Sequence, residues 1–86
     1  MITRVKTIPI RIETDLHNSF TRYCLDNDIP TLDGGGFTHA DDAGVWGAMT
    51  YIFPSDTVAA RFINAYSSYI EHVSSMTQAE YDAYLG

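Results

Sequence analysis

Residues 3–13, TRVKTIPIRIE, alternate between apolar and polar types. Ile8, Ile10 and Ile12 share one parity, and Thr7, Arg11 and Glu13 share the other. This period of two predicts a strand whose isoleucines face a core. Pro9 has no N–H to give to a ladder, so it marks an edge strand or a bulge at that point. Thr14 or Asp15 then offers a side-chain oxygen to the free N–H groups of a helix. Leu16, Phe20, Tyr23 and Cys24 follow at spacings of three and four and form one apolar stripe. Asn27-Asp28 and Pro30 end that helix, which is placed at about 15–27.

The next six residues, TLDGGG, read as a loop or the ragged start of a strand, with a short strand from Phe37 to Ala40. Asp41-Asp42-Ala43-Gly44 has the chemistry of a turn. Val45 to Phe53 is rich in aromatic and β-branched types. Val45, Met49, Tyr51 and Phe53 lie on one parity and Trp46, Thr50 and Ile52 on the other, so both faces are partly apolar and the strand is central. Gly47 leaves room for a neighbouring backbone or marks a bulge. After Pro54, Ser55 or Asp56 caps a second helix, placed at about 56–74, whose stripe is Val58, Phe62, Ala65, Tyr66, Tyr69, Ile70 and Val73. Thr77-Gln78-Ala79-Glu80 is a capping box with Met76 and Tyr81 as its staple, opening a short helix at about 78–85.

The order is β-α-β-β-α followed by a short C-terminal helix. It resembles a ferredoxin-like α+β sandwich: a small antiparallel sheet with two helices on one face. The usual fourth strand is missing, which leaves a sheet edge and a face to account for. The expected core joins Val58, Phe62, Tyr66 and Tyr69 to Ile8, Ile10, Ile12, Leu16 and Phe20.

Composition narrows the function. At 86 residues the chain is one domain, 1–86. With 13% aromatic and 19% charged residues it is not a disordered tail. No apolar run approaches the ~20 residues that span a bilayer, and the N-terminal stretch lacks the apolar region of a secretory signal. The expectation is a cytoplasmic protein with no membrane partner. The single cysteine, Cys24, excludes an intramolecular disulfide framework and the usual structural zinc cages. The formal charge of −6 is the reverse of what a direct nucleic-acid binder carries. Residues 1–25 hold four of the five basic residues and a net +2, whereas residues 26–86 hold only Arg61 against nine acids. Between Arg22 and Arg61 there is no Lys or Arg, but there are Asp26, Asp28, Asp33, Asp41, Asp42 and Asp56. Such a stretch is either a solvated surface that keeps the protein soluble or an interaction surface.

Catalytic chemistry has few candidates. Cys24 would need His17, His39 or His72 beside it, but it sits on an apolar helix stripe, where a small buried thiol is the usual occupant. His39, Asp41 and Asp42 cluster on the turn, yet two carboxylates and one imidazole are an incomplete set for zinc or calcium. A calcium loop starting at Asp26 has Thr31 where glycine is obligatory and Phe37 where a bidentate glutamate belongs. Gly34-Gly35-Gly36 is followed by no Lys-Ser/Thr pair, and Asp33 beside it repels phosphate. Neither an acid–base–nucleophile set nor a cofactor motif is present, so the chain is read as a non-enzyme without a cofactor.

Size, charge and the lack of a catalytic set resemble the small acidic inhibitors and accessory proteins that bacterial viruses encode against host machinery. That class includes inhibitors of CRISPR complexes and nucleic-acid mimics. The resemblance implies a protein partner with a basic, nucleic-acid-binding surface in the cytoplasm of a host bacterium, and no direct contact with nucleic acid. Carboxylates stand in for phosphates opposite Lys and Arg in that arrangement. The expected partner-binding residues are Asp26, Asp28, Asp33, Asp41 and Asp42, with the aromatic groups Trp46, Tyr81 and Tyr84. Two alternatives stand beside this reading. One is a structural or oligomerising protein, with a homodimer formed through the strand that carries Pro9 or the strand before the Asp41 turn. The other is a small metal-binding protein using His39, Asp41 and Asp42.

Overall fold

The computed structural model describes the backbone of all 86 residues and every side chain except those of Glu13 and Phe37. The outward orientation expected of Glu13 therefore lies outside the described side chains. The elements are β1 (Ile2–Thr7), β2 (Ile10–Arg11), a 3-10 turn (Ile12–Thr14), α1 (Leu16–Asp26), β3 (Asp33–Asp41), β4 (Gly44–Phe53), α2 (Asp56–Ala65), a second 3-10 turn (Ser67–Tyr69), β5 (Ile70–Met76) and α3 (Gln78–Leu85). All strand pairs are antiparallel. β4 pairs with β3 on one side and with β1 and β2 on the other, and β5 pairs with the far side of β1. The result is a small mixed α+β domain whose sheet runs β3-β4-β1-β5, with β2 continuing the line of β1.

Alternation along the strands divides the sheet into two faces. Val5, Ile10, Tyr51 and Phe53 meet Phe20 and Cys24 of α1 and Ala59 and Phe62 of α2, with Ile29 closing the cluster. Phe20 and Phe62 are fully buried and cross edge-to-face at 5.8 Å. This geometry suits ring quadrupoles better than a sandwich. On the second face Ile2, Ile52 and Met76 form a smaller cluster beneath Tyr81 of α3. The third helix therefore covers part of the face that the first two leave open. It reaches across the sheet: it leaves β5 at one edge, and the Tyr81 hydroxyl donates to the Leu32 carbonyl beside β3 at the other edge.

The N-terminal strand departs from the alternation read along 3–13. Lys6 pairs with Thr50 and Ile10 with Gly47, so four steps on one strand match three on the other. The extra residue is a bulge at Ile8-Pro9, where proline offers no ladder donor. It reverses the parity. Thr7, expected to face away, is completely buried, and Ile12, expected in the core, is 41% exposed on the 3-10 turn. The Thr7 hydroxyl accepts from the Met49 N–H at 2.9 Å and donates to the Ile8 carbonyl at 3.1 Å, so the buried polar group is satisfied where the ladder is interrupted. Gly47 stands opposite this bulge. β1, which precedes Pro9, is interior because β5 pairs along it, whereas β2, which follows Pro9, pairs with β4 alone.

That fifth strand is the largest difference from the sequence reading. The helix expected to run to about 74 ends at Ala65. Tyr66, Tyr69, Ile70 and Val73 do satisfy helical spacing. However, the backbone of 70–76 instead pairs with Ile2 to Thr7, from Ile2↔Met76 to Thr7↔Ile70. Asn64, Ser67 and Ser68 are weak helix formers, and an unpaired edge on β1 is the competing attraction. Where propensity is weak, tertiary pairing decides. Of the two readings of 31–36, the start of a strand holds from Asp33: Gly34, Gly35 and Gly36 belong to a nine-residue strand, paired with Tyr51, Thr50 and Met49.

Local caps agree better. The Ser55 Oγ accepts from the Val58 N–H at 3.2 Å. Thr77 Oγ1 accepts from the Glu80 N–H, and Glu80 accepts from the Thr77 N–H, both at 3.1 Å. At α1 the cap is different in kind: Asp15 occupies the cap position with φ 60°, and its carboxylate accepts from the Asn18 side chain instead of a backbone N–H.

Candidate functional site

The five aspartates singled out in the sequence do not share one surface. Asp26 ends α1, Asp28 lies in the turn after it with φ 53°, and Asp33 opens β3. The connection is held in place by the Ile29 N–H donating to the Cys24 carbonyl at 2.9 Å and the Leu32 N–H donating to the Ile52 carbonyl at 2.7 Å. All three residues lie at one end of the sheet, Asp26 on the helix over the first face and Asp33, paired with Ile52, on the second. Asp41 and Asp42 sit at the other end of β3, eight residue steps or roughly 26 Å away. The molecule is 40 Å long in its longest dimension, so these are opposite ends.

The cationic neighbours of each group also differ. At the first end Arg61 donates to the Asn27 carbonyl at 2.6 Å, and Arg22 lies one helical turn before Asp26. At the second end Arg11 stacks its guanidinium 5.2 Å from the centre of the Trp46 ring, a cation–π distance. His39 is the cross-strand partner of Trp46.

The turn residues have structural duties. Asp41 Oδ1 accepts from the Ala43 N–H at 2.8 Å, which closes the turn, and Asp41 Oδ2 lies 3.7 Å from His39 Nε2. Both side chains are solvent-exposed, and among the described residues no three His, Cys, Asp or Glu side chains come together as metal ligands. The geometry gives no support to a metal site at His39, Asp41 and Asp42.

The aromatic groups are also separated. Trp46, Tyr81 and Tyr84 all lie on the second face of the sheet. Trp46, however, stands six residues along β4 from Ile52, the residue under Tyr81, a span of roughly 20 Å. Tyr81 and Tyr84 form a stacked pair at 6.5 Å on α3, near the Asp33 end.

Cys24 is buried, and burial pushes its thiol up from the ordinary value. A thiolate nucleophile is disfavoured there. His17 Nε2 donates to the Gly47 carbonyl at 2.8 Å, and His72 lies on the second face, so among the described residues no histidine is set against Cys24. Burial likewise pushes the Tyr51 hydroxyl up, partly offset by its 3.2 Å hydrogen bond with Thr21.

One feature escaped the sequence reading. Arg4 and Lys6 alternate with the buried Thr3, Val5 and Thr7, and so both emerge on the second face. Lys6 stands between Thr50 on β4 and His72 on β5. Together with Tyr84 of α3 they line a pocket of about 260 Å³. The alternation TRVKT was a legible signal for Arg4 and Lys6. His72 was not legible, because it was assigned to a helix.

The chain matches no family model, no curated protein and no solved structure. Among the described residues no helix is long and apolar enough to cross a membrane.

Proposed function

We propose that this chain is a non-catalytic binding module that meets a basic surface on a protein partner. The reading follows the type of phage-encoded anti-defence inhibitor, acting in the cytoplasm by occupying a nucleic-acid-binding surface. The observation that carries it is the placement of Asp26, Asp28 and Asp33 at one end of the sheet, Asp26 on the helix over the first face and Asp33 on the second, within a stretch of chain that has no Lys or Arg between Arg22 and Arg61. Carboxylates held at such an end complement a cationic surface and accelerate encounter with it. Tyr81 and Tyr84 border this end and add contact area at low conformational cost. Asp41, Asp42 and Trp46 belong to the opposite end and form no part of the same contact. The ferredoxin-like assignment is proposed with it: the strand order β3-β4-β1-β5, with helices after β1–β2 and after β4, supports that topology.

The test replaces Asp26, Asp28 and Asp33 together with Asn. Immobilised wild-type protein is expected to retain a basic protein from bacterial lysate at low salt and to release it at high salt, and the triple variant to lose that retention. The melting temperature should hold or rise, because Asp26 and Asp28 oppose the negative end of the α1 dipole and exposed carboxylates contribute little to stability. Retention indifferent to both salt and charge would overturn the reading.

A second reading rests on β3. This edge strand is nine residues long, contains no Pro or Lys, and pairs on one side only. Edges of that kind invite a second copy. A structural homodimer through β3 predicts a mass of two chains by light scattering at high micromolar concentration. A monomer under those conditions would reject it.

A further inference from the structure

We infer that the pocket on the second face of the sheet, between α3 and the β4-β1-β5 strands, binds a phosphate group. Its lining is Arg4, Lys6, Thr50, His72 and Tyr84. The two cationic side chains come from alternate positions of one strand, so their Cα atoms lie roughly 7 Å apart and both heads address the same small volume. Cross-strand pairing holds Thr50 and His72 on either side of Lys6. Arg supplies a planar fork of donors and Lys a compact ammonium. The Thr and Tyr hydroxyls and the imidazole add hydrogen-bonding groups around them. Among the described residues no carboxylate lines the pocket.

The net charge of −6 argues against an anion site only if charge is spread evenly, and the fold sorts it. Arg4, Lys6 and Arg11, three of the five basic residues, emerge on this face. Asp41 lies beyond Gly44, six residues along β4 from Thr50, or roughly 20 Å away. Asp33 is the nearest acid of the first end, two strands from Arg4 and roughly 10 Å away, about a Debye length at physiological salt. Its Oδ1 accepts from the Gly34 N–H at 2.8 Å. Glu71, the unpaired residue of β5 between Ile70 and His72, stands beside the pocket without lining it, and the acids of α3 are engaged along their own helix, Glu80 with Thr77 and Asp82 with Gln78. At about 260 Å³ the pocket falls below the range of a drug-sized ligand. A single phosphate group suits its size and its donors.

The phosphate can come from a mononucleotide or from a single strand, and the test separates these sources. Backbone amides of the labelled protein are followed by NMR during addition of thymidine, thymidine 5′-monophosphate and an oligothymidylate. Thymidine is expected to move nothing. The monophosphate is expected to shift the amides of Lys6, Thr50, His72 and Tyr84 saturably. A strand as the source adds shifts at Arg11 and Trp46 with tighter binding, whereas a mononucleotide as the source leaves those unmoved. R4Q/K6Q should weaken binding at least roughly tenfold, because charge-assisted hydrogen bonds are lost. His72→Ala, on the edge strand, gives a second variant should the first not fold, and it should also weaken binding. Arg22→Gln, on the helical side, should change nothing. No saturable shift with either phosphorylated probe, or the same response in both pocket variants, would overturn the inference. It stands independently of the acidic end: D26N/D28N/D33N is expected to bind the monophosphate as wild type does.

Discussion

Phe62→Ala lowers the stability of this domain by about 3–5 kcal/mol, the range for deleting a buried aromatic ring. The ring is fully buried and sits at the centre of the aromatic core, 5.8 Å from Phe20, 5.2 Å from Tyr51, 5.4 Å from Phe53 and 5.3 Å from Tyr66. Four rings, two from β4, one from α1 and one from the residue that ends α2, lose a neighbour at once, and none can collapse into the gap without leaving its own contacts. Domains of this size have only about 5–15 kcal/mol in total. With each kcal/mol worth about 4–8 °C, the melting temperature should fall by roughly 12 °C or more in calorimetry. Tyr84→Ala on the exposed α3 surface serves as control, with an effect within about 0.5 kcal/mol. Equal melting temperatures for the two variants would remove Phe62 from the core.

Gly36→Val should destabilise by about 1–3 kcal/mol, while Gly35→Thr should be neutral or stabilising by up to about 1 kcal/mol. The two glycines are neighbours on β3, yet their surroundings are opposite. A Cβ at Gly36 would stand 2.7 Å from the Ala48 carbonyl oxygen and 2.6 Å from the Met49 sulfur. The thioether can swing away, but the carbonyl belongs to the β4 backbone and moves only with the ladder. At Gly35 a Cβ meets nothing within 4 Å, and a β-branched residue there restricts the unfolded chain and suits a strand. Chemical denaturation of both variants checks the pair. A Gly36→Val protein as stable as Gly35→Thr would mean that β3 does not lie against β4 in this register.

These two sites illustrate what was legible in advance. Phe62 was readable because Val58, Phe62, Tyr66 and Tyr69 repeat at helical spacing next to a Ser55 cap, a signal contained within a few turns. Gly36 was not, because Gly34-Gly35-Gly36 has no side chains from which to infer a face, and only the closeness of Ala48 gives it a role. The candidate sites divide in the same way. The acidic run was visible as composition, but whether Asp33 and Asp41 share a surface depends on an extended strand between them, and a nine-residue strand puts them at opposite ends. The cationic pocket needed three strands and α3 brought together from residues 4–6, 50, 72 and 84.

The sequence by itself determined the elements whose signals act locally. These are α1 and its apolar stripe, the Asp41–Gly44 turn, the central strand Val45–Phe53, the Ser55-capped start of α2 and the capping box of α3. Caps, turns and periodicity work through hydrogen bonds and contacts within one or two turns of chain, so they are written in neighbouring residues. Only the tertiary structure decided the rest. Residues 70–76 satisfy a helical stripe, yet they became β5 because the open edge of β1 offered a full ladder, a partner nearly seventy residues away in sequence. Thr7 shares the inward parity of Thr3 and Val5 on β1, the bulge at Ile8-Pro9 then lets Ile10 face the same core, and the 3-10 turn carries Ile12 outward. The distribution of charge followed from both. Pairing on each side of β1 brings Arg4, Lys6, Thr50 and His72 onto one face, and side-chain direction in a sheet is set by register, which a single strand does not contain.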